Sequence, residues 1–269
     1  MAVRQKTIRN KLFSGLILIM IFTCGATMLS ASTLVDPSRF LFTLKPGDRT
    51  TGTIKVSNPG NKEAIVNAIV YDWTLNEADK MITSELGTRK DSLKGLIKFN
   101  PQNFKLAPGE SQIVRFTLTA PANGPAIEHR GIVFFEEKMP KDPKNMGANI
   151  LTQVGSTIYL GIEGMKMAFN FGKVSVVSKG KTYHGEMTIN NSGAGHIRYR
   201  IGYKIVNEKG ALVNETELPE MVILPEFTRK IAFPLPEKLE PGKYNLLFTL
   251  YFVGTNNTAN RTIPFTVAQ

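Results

Sequence analysis

The chain has one cysteine, Cys24, one tryptophan, Trp73, and three histidines, His129, His184 and His196. A lone cysteine excludes an internal disulfide framework and any zinc site built on thiolates. The histidines are scattered, and none makes the paired spacing of a helical zinc motif. Met165-Lys166-Met167 offers two thioethers, a pattern that reads more simply as packing than as a soft-metal pair. No Gly-x-Ser-x-Gly elbow, phosphate loop or dinucleotide fingerprint is present. Asp72 beside Trp73 has no second carboxylate at a useful spacing, so acid–base catalysis finds no pair. The sequence therefore predicts a protein that is not an enzyme and holds neither metal nor cofactor. Acids are also in the minority, 22 against 33 Lys+Arg, for a net charge of +11. The basic residues are dispersed and no aromatic stacking motif accompanies them, which argues against nucleic acid. Acidic partners, anionic lipid or glycan stay open.

What is present begins with a basic, then apolar, then small-residue order. Residues 1–11 carry Arg4, Lys6, Arg9 and Lys11 and no acid. Leu12 to Thr23 is apolar apart from Ser14, and the small residues end at Ser30-Ala31-Ser32. That is the order of a secretory signal peptide, placed at 1–32. The apolar run is short for a span of about 20 residues, so no membrane span is expected after cleavage. Two rival readings are an uncleaved anchor and lipid modification of Cys24. An exported chain without disulfides must be stable through its cores alone, which domains of roughly 100 residues can achieve.

After residue 33 the pattern is short alternating runs between turn residues. Thr51–Ser57 alternates and stops at Asn58-Pro59-Gly60-Asn61. Ala64–Tyr71, Gln112–Thr119, Gly131–Glu137 and Ile150–Ile162 continue the pattern. Asn76–Asp91 is polar and less regular, suited to a hairpin or a short helical turn. Further strands are read at Lys173–Val177, Tyr183–Ile189, Ile197–Val206, Arg229–Phe233, Tyr244–Val253 and Arg261–Val267. Long amphipathic helical patterns are absent from this part of the chain. Many short strands with Gly/Pro turns predict an all-β protein of two sandwiches.

The halves also repeat one another. Gly52–Gly60 aligns without a gap on Gly185–Gly193, matching Gly52 with Gly185, Ile54 with Met187, Val56 with Ile189 and Asn58 with Asn191. Pro108, Val114, Phe116 and Leu118 match Pro225, Ile231, Phe233 and Leu235. The expected domains are 33–165 and 166–269.

Pro37-Ser38-Arg39-Phe40-Leu41-Phe42 follows the signal directly, and the next strand ends in Asn58-Pro59-Gly60. Phe99–Arg115 runs through an apolar strand, a Pro108-Gly109 turn and a strand carrying Arg115. These segments resemble the PapD-like periplasmic chaperones of pilus assembly, fairly over 35–162 and less over 168–269. Exported cell-surface proteins that bind wall material through similar sandwiches look alike too, and that alternative stays open.

The PapD-like resemblance implies two immunoglobulin-like domains and a periplasmic, non-enzymatic role. It implies partners too: strand-deficient fibre subunits, with an outer-membrane usher beside them. Such a chaperone lends a strand to an incomplete sandwich, supplying main-chain hydrogen bonds and alternate apolar side chains. By that resemblance the donor is Ile150–Ile162, with Ile150, Val154 and Ile158 as groove-filling knobs. The ordinary reading, a core strand of the first sandwich, stands beside it. Lys138–Asn149, rich in Pro, Gly and Lys, reads as the preceding loop. Arg39 matches the first of two basic residues that anchor the subunit's terminal carboxylate. The second has no match, because Gln153–Gly161 contains neither Lys nor Arg.

Overall fold

Alternation decides which side of each strand is inside. In Arg49–Ser57, Ile54 and Val56 are wholly buried, while Thr53 and Lys55, which alternate with them, are exposed. In Ser111–Thr119, Val114, Phe116 and Leu118 face inward and Ile113 and Arg115 outward. The computed structural model describes residues 33–137, 153–180 and 182–268, and every regular element among them is a strand. The expected signal peptide, Cys24 and Ile150 lie outside the described residues.

The first sandwich holds β1 (Leu34–Asp36), β2 (Arg39–Leu44), β3 (Arg49–Ser57), β4 (Ala64–Leu75) and β5 (Met81–Glu85). It continues with β6 (Ile97–Asn100), β7 (Asn103–Leu106), β8 (Ser111–Thr119), β9 (Glu128–Glu137) and β10 (Gln153–Ile162). One sheet is ordered β1-β3-β8-β6, the other β2-β10-β9-β4-β5, with β7 also on β4. The chain passes from the first sheet to the second between β1 and β2, at the cis Asp36–Pro37 bond. Of the two readings of Asn76–Asp91, the hairpin is the one that forms, with Leu75 opposite Met81.

The second sandwich holds β11 (Phe169–Phe171), β12 (Ser175–Lys179), β13 (Thr182–Asn191), β14 (Ile197–Asn207) and β15 (Leu212–Glu217). It ends with β16 (Met221–Ile223), β17 (Thr228–Pro234), β18 (Gly242–Phe252) and β19 (Thr258–Val267). In one sheet β11 and β12 share an edge of β13 and β17 takes the other. The second sheet is ordered β15-β14-β18-β19, with β16 also on β14. Each sandwich encloses its own apolar cluster. The fold is all-β, two immunoglobulin-like sandwiches in tandem.

The internal repeat has a physical basis. Gly52 stands opposite Phe116, and a Cβ there would lie 2.3 Å from the ring. Gly185 stands opposite Phe233, where the distance would be 2.1 Å. In both sandwiches a core phenylalanine takes the space of a missing side chain, which is why both positions are glycine. Asn58 and Asn191 are equivalent as well. Each donates its amide to a core carbonyl, Leu106 at 3.0 Å and Ile223 at 3.2 Å. Each also accepts from the main-chain N–H two residues on, Gly60 at 2.9 Å and Gly193 at 3.0 Å. Buried carbonyls at a strand end need such a partner, and asparagine supplies it together with the turn.

One equivalent position differs. Gly109 and Glu226 each donate a main-chain N–H at 2.8 Å, to the carbonyls of Asn58 and Asn191 respectively. Both take positive φ, +79° and +68°. Glycine adopts that region freely, whereas Glu226 does so at a cost of order 1 kcal/mol. Its salt bridge to Lys90 is exposed and adds little. Glu226→Gly is therefore expected to raise stability by about 0.5–1 kcal/mol. Urea unfolding measures it, and a net loss would show that the Lys90 contact outweighs the backbone strain.

Candidate functional site

The outward face of the β4–β9–β10 sheet carries large side chains that the second sandwich covers. Trp73, Ile132 and Tyr159 pack with Leu224, flanked by Tyr71, Leu75, Phe134, Val222 and Phe227. Trp73 meets Tyr159 edge-on at 5.7 Å between ring centroids, and Tyr159 lies over His196 at 4.2 Å. Polar groups complete this seam. Glu128 is buried, accepts from His196 Nδ1 at 2.5 Å, and donates its main-chain N–H to the Ala194 carbonyl at 2.9 Å. Arg229 donates to the Asn76 carbonyl at 2.6 Å and pairs with Asp79 at 2.9 Å. Methionine fills the last gap: Met165 and Met167 lie against Gly195, and Met165 against Gly161.

Behind Trp73 lies a buried ion pair. Arg130 is 1% exposed, meets Asp91 at 2.8 Å, and stands 5.6 Å from the Trp73 ring. Burial pushes the Arg130 guanidinium below its ordinary value, and Asp91 pulls it back. Asp72 accepts from the Gly87 N–H at 2.9 Å, the Arg89 N–H at 3.0 Å and Ser92 Oγ at 2.6 Å. Its oxygens hold the turn after β5. That is a structural task.

Strand β10 leaves the covered seam as it is followed back towards Gln153. From Thr157 to Ile162 it pairs with β2 in parallel and with β9 in antiparallel fashion. From Gln153 to Ser156 only the β9 pairing continues. There β1 lies close by without a ladder, and Ser156 is buried with its Oγ donating to the Pro37 carbonyl at 2.9 Å, so among the described residues the unpaired, accessible edge is Gln153–Gly155. Thr157 donates its N–H towards that side, to the Ser38 carbonyl at 3.0 Å. Main-chain groups alternate along a strand, so Gly155 and Gln153 turn theirs the same way. A Cβ on Gly155 would lie 2.8 Å from Phe134 and 2.9 Å from Ile132. The open edge is therefore flat and bare where the aromatic face begins.

The open edge stops at a charged cluster. Arg39 opens β2 opposite Thr157, and its Nη1 donates to Glu220 Oε1 at 3.0 Å. Arg198, on β14 of the second sandwich, donates Nε to the same oxygen at 2.5 Å. The cluster is partly open to solvent, with the Arg39 and Glu220 side chains 37% and 32% exposed. Burial pushes the Glu220 carboxyl up, but hydrogen bonds from Arg198 and Arg39 outweigh it and hold it below the ordinary range. Two cations from different sandwiches thus converge on one carboxylate oxygen, an arrangement suited to any carboxylate that reaches it.

The sequence-predicted residues divide accordingly. Arg39 stands at the end of the open edge. Val154 is half-buried on the inward face of the open segment. Ile158 is 0% exposed within the first core. That burial fits the ordinary reading of the segment, a core strand of the first sandwich. A second basic residue, Arg198 of the second sandwich, does stand beside Arg39, both donating to Glu220 Oε1. Sequence reasoning missed it because the pairing spans two sandwiches; the visible signal was only the Arg198-Tyr199-Arg200 alternation.

Comparison with known proteins adds the following. No protein-family model matches the chain. It is 26% identical over 268 positions to an uncharacterized protein of Methanocaldococcus jannaschii, covering 94% of this chain and 56% of that protein. The chain thus spans little more than half the length of that relative. Among solved structures it is similar to the class 5 fimbriae chaperone CfaA, with 14% identity and a TM-score of 0.48 over 86% of this chain and 98% of that one. It is similar to the chaperone DraB of E. coli, with 15% identity and a TM-score of 0.42 over 87% and 95%. The CupB2 chaperone of Pseudomonas aeruginosa gives 13% identity and a TM-score of 0.44 over 86% and 100%. Among the described residues no helix is long and apolar enough to cross a membrane.

Proposed function

We propose that the protein is an exported, periplasmic chaperone-like binder that receives the C-terminal strand of an incomplete β-sandwich subunit. The observation that carries this reading is the unpaired edge of β10 at Gln153–Gly155, which runs towards the Arg39–Arg198 pair. An edge strand offers main-chain hydrogen bonds to any extended segment. A strand laid along it would bring its terminal carboxylate to the two guanidinium groups. Glu220 holds that place in the free protein, and the incoming carboxylate displaces it. Val154, half-buried on the inward face near the start of the described part of β10, would continue that apolar row into a recipient sandwich laid against the edge. The role is non-enzymatic, with fibre subunits as clients and an outer-membrane usher as a further partner.

The test starts with affinity purification of the tagged protein from native cells and identification of a stoichiometric β-rich subunit. The C-terminal peptide of that subunit is then titrated as the free acid and as the amide. The acid is expected to bind at least 10-fold more tightly, about 1.4 kcal/mol. The Gln153 and Gly155 main-chain amides should gain protection from hydrogen exchange on binding. Equal affinity of acid and amide, or no co-purifying subunit, refutes the reading.

A further inference from the structure

The outer face of the β1-β3-β8-β6 sheet lies on the opposite side of the first sandwich from β10. Its outward residues are Arg49, Thr51, Thr53 and Lys55 on β3, Ile113, Arg115 and Thr117 on β8, and Lys98 and Asn100 on β6. None of these three strands contains an Asp or Glu. Among the described residues, Arg49, Lys55, Lys98 and Arg115 have no carboxylate within ion-pair distance, although Asp36 of β1 stands in register with Lys55. Other sheet faces are treated differently: Lys105 pairs with Glu63 at 3.2 Å, Lys179 with Glu186 at 3.1 Å, and Lys204 with its cross-strand neighbour Glu215 at 2.9 Å.

The strand register places the cations in a line. Lys55 is opposite Ile113, Arg115 is opposite Asn100, and Lys98 is opposite Thr117. Lys55, Arg115 and Lys98 therefore step diagonally across β3, β8 and β6, each about 7–8 Å from the next. Thr53 and Thr117 flank Arg115 and bring hydroxyls between the charges. A shallow depression lined by Lys98, Asn100, Ile113, Arg115 and Thr117 follows the same line.

We propose that this face binds a linear anionic glycan, with sugar carboxylates or phosphates on the cations and sugar hydroxyls on the threonines. A row of unpaired cations in a field of hydroxyls is complementary to a chain whose charges recur along its length. The large apolar side chains exposed on this sheet are Ile113 and, on its edge strand β1, Leu34, too little to bury in a bilayer, where interfacial binding needs an apolar face. No exposed aromatic ring stands there to stack on bases. This reading is independent of strand capture, which uses the other sheet.

The test is affinity electrophoresis of the full protein through alginate, a polyuronate, at low and at physiological salt. Native protein should be retarded, and less so at the higher salt. Lys98→Gln with Arg115→Gln should weaken retardation at least 10-fold. Lys204→Gln with Lys243→Gln removes the same charge from the second sandwich and should change it less than two-fold. Phosphatidylglycerol/phosphatidylcholine vesicles are the comparison arm. Equal losses in the two variants, no retardation at low salt, or vesicle binding stronger than alginate binding and lost in the first variant would each overturn the proposal. Peptide capture at β10 should be unchanged in Lys98→Gln with Arg115→Gln, which separates this test from the previous one.

Discussion

Asp91→Ala is expected to lower the free energy of unfolding by about 3–5 kcal/mol, the loss that follows when a buried ion pair keeps one partner. Arg130 has almost no contact with solvent, and Asp91 is the anion it meets, at 2.8 Å. Arg89 binds the other Asp91 oxygen at 2.9 Å, so the carboxylate also holds the turn before β6. Removal would leave the guanidinium buried against the Trp73 face, with Glu128 as a weaker, more distant anion. Attraction to that ring is of order 1–2 kcal/mol, too weak to replace the ion. Arg130→Met removes the charge together with the partner's task, and it should cost less than Asp91→Ala. Trp73 is the only tryptophan and lies in this seam, so its emission follows the same event in a urea titration. A loss below about 1 kcal/mol for Asp91→Ala would mean that water reaches Arg130, contrary to the burial seen here.

The sequence carried the strands well because period-two alternation is a local signal, and turn residues punctuate it. The repeat was legible for the same reason: Gly52 and Gly185, or Asn58 and Asn191, answer one steric or hydrogen-bonding demand in each sandwich. Asp91 and Arg130 looked like ordinary loop and strand charges, since nothing local shows that two segments close over them. Trp73 sits in an alternating strand that marks only which face it takes, and nothing local shows that Leu224 of the other sandwich meets it. Ile158 illustrates the limit of alternation. It shares a face with Val154, but alternation does not say where along the strand the protein's own core ends. That is decided by β2, which begins to cover β10 at Thr157. Arg198 and Glu220 were invisible as partners of Arg39 because carboxylate and cations come from distant segments. Only the seam between sandwiches brings them together.

Glu220→Gln is expected to tighten binding of a peptide with a free C-terminal carboxylate by about 10-fold, and Arg39→Gln to weaken it by about 10–100-fold. The argument is competition. In the free protein Glu220 accepts from both Arg39 and Arg198, so a client carboxylate gains only the difference between its own contacts and those it displaces. Neutralising Glu220 leaves two cations facing each other with no anion, which raises the value of any carboxylate brought to them. Losing Arg39 removes one of the two donors, each charged hydrogen bond being worth about 1.5–3 kcal/mol. Burial works against the Glu220 charge, but the two arginines prevail and hold its carboxyl below the ordinary range, so competition persists through neutral and mildly acidic solution. Folding should hardly register either change, because the cluster is partly exposed and such pairs contribute about 0–1 kcal/mol. Calorimetric titration of native protein and both variants, with acid and amide peptides, reads the effect directly. The amide should respond weakly to both substitutions. If acid and amide shift together, the cluster acts on the cleft as a whole and not on a carboxylate, and the displacement mechanism fails while strand addition at β10 still stands.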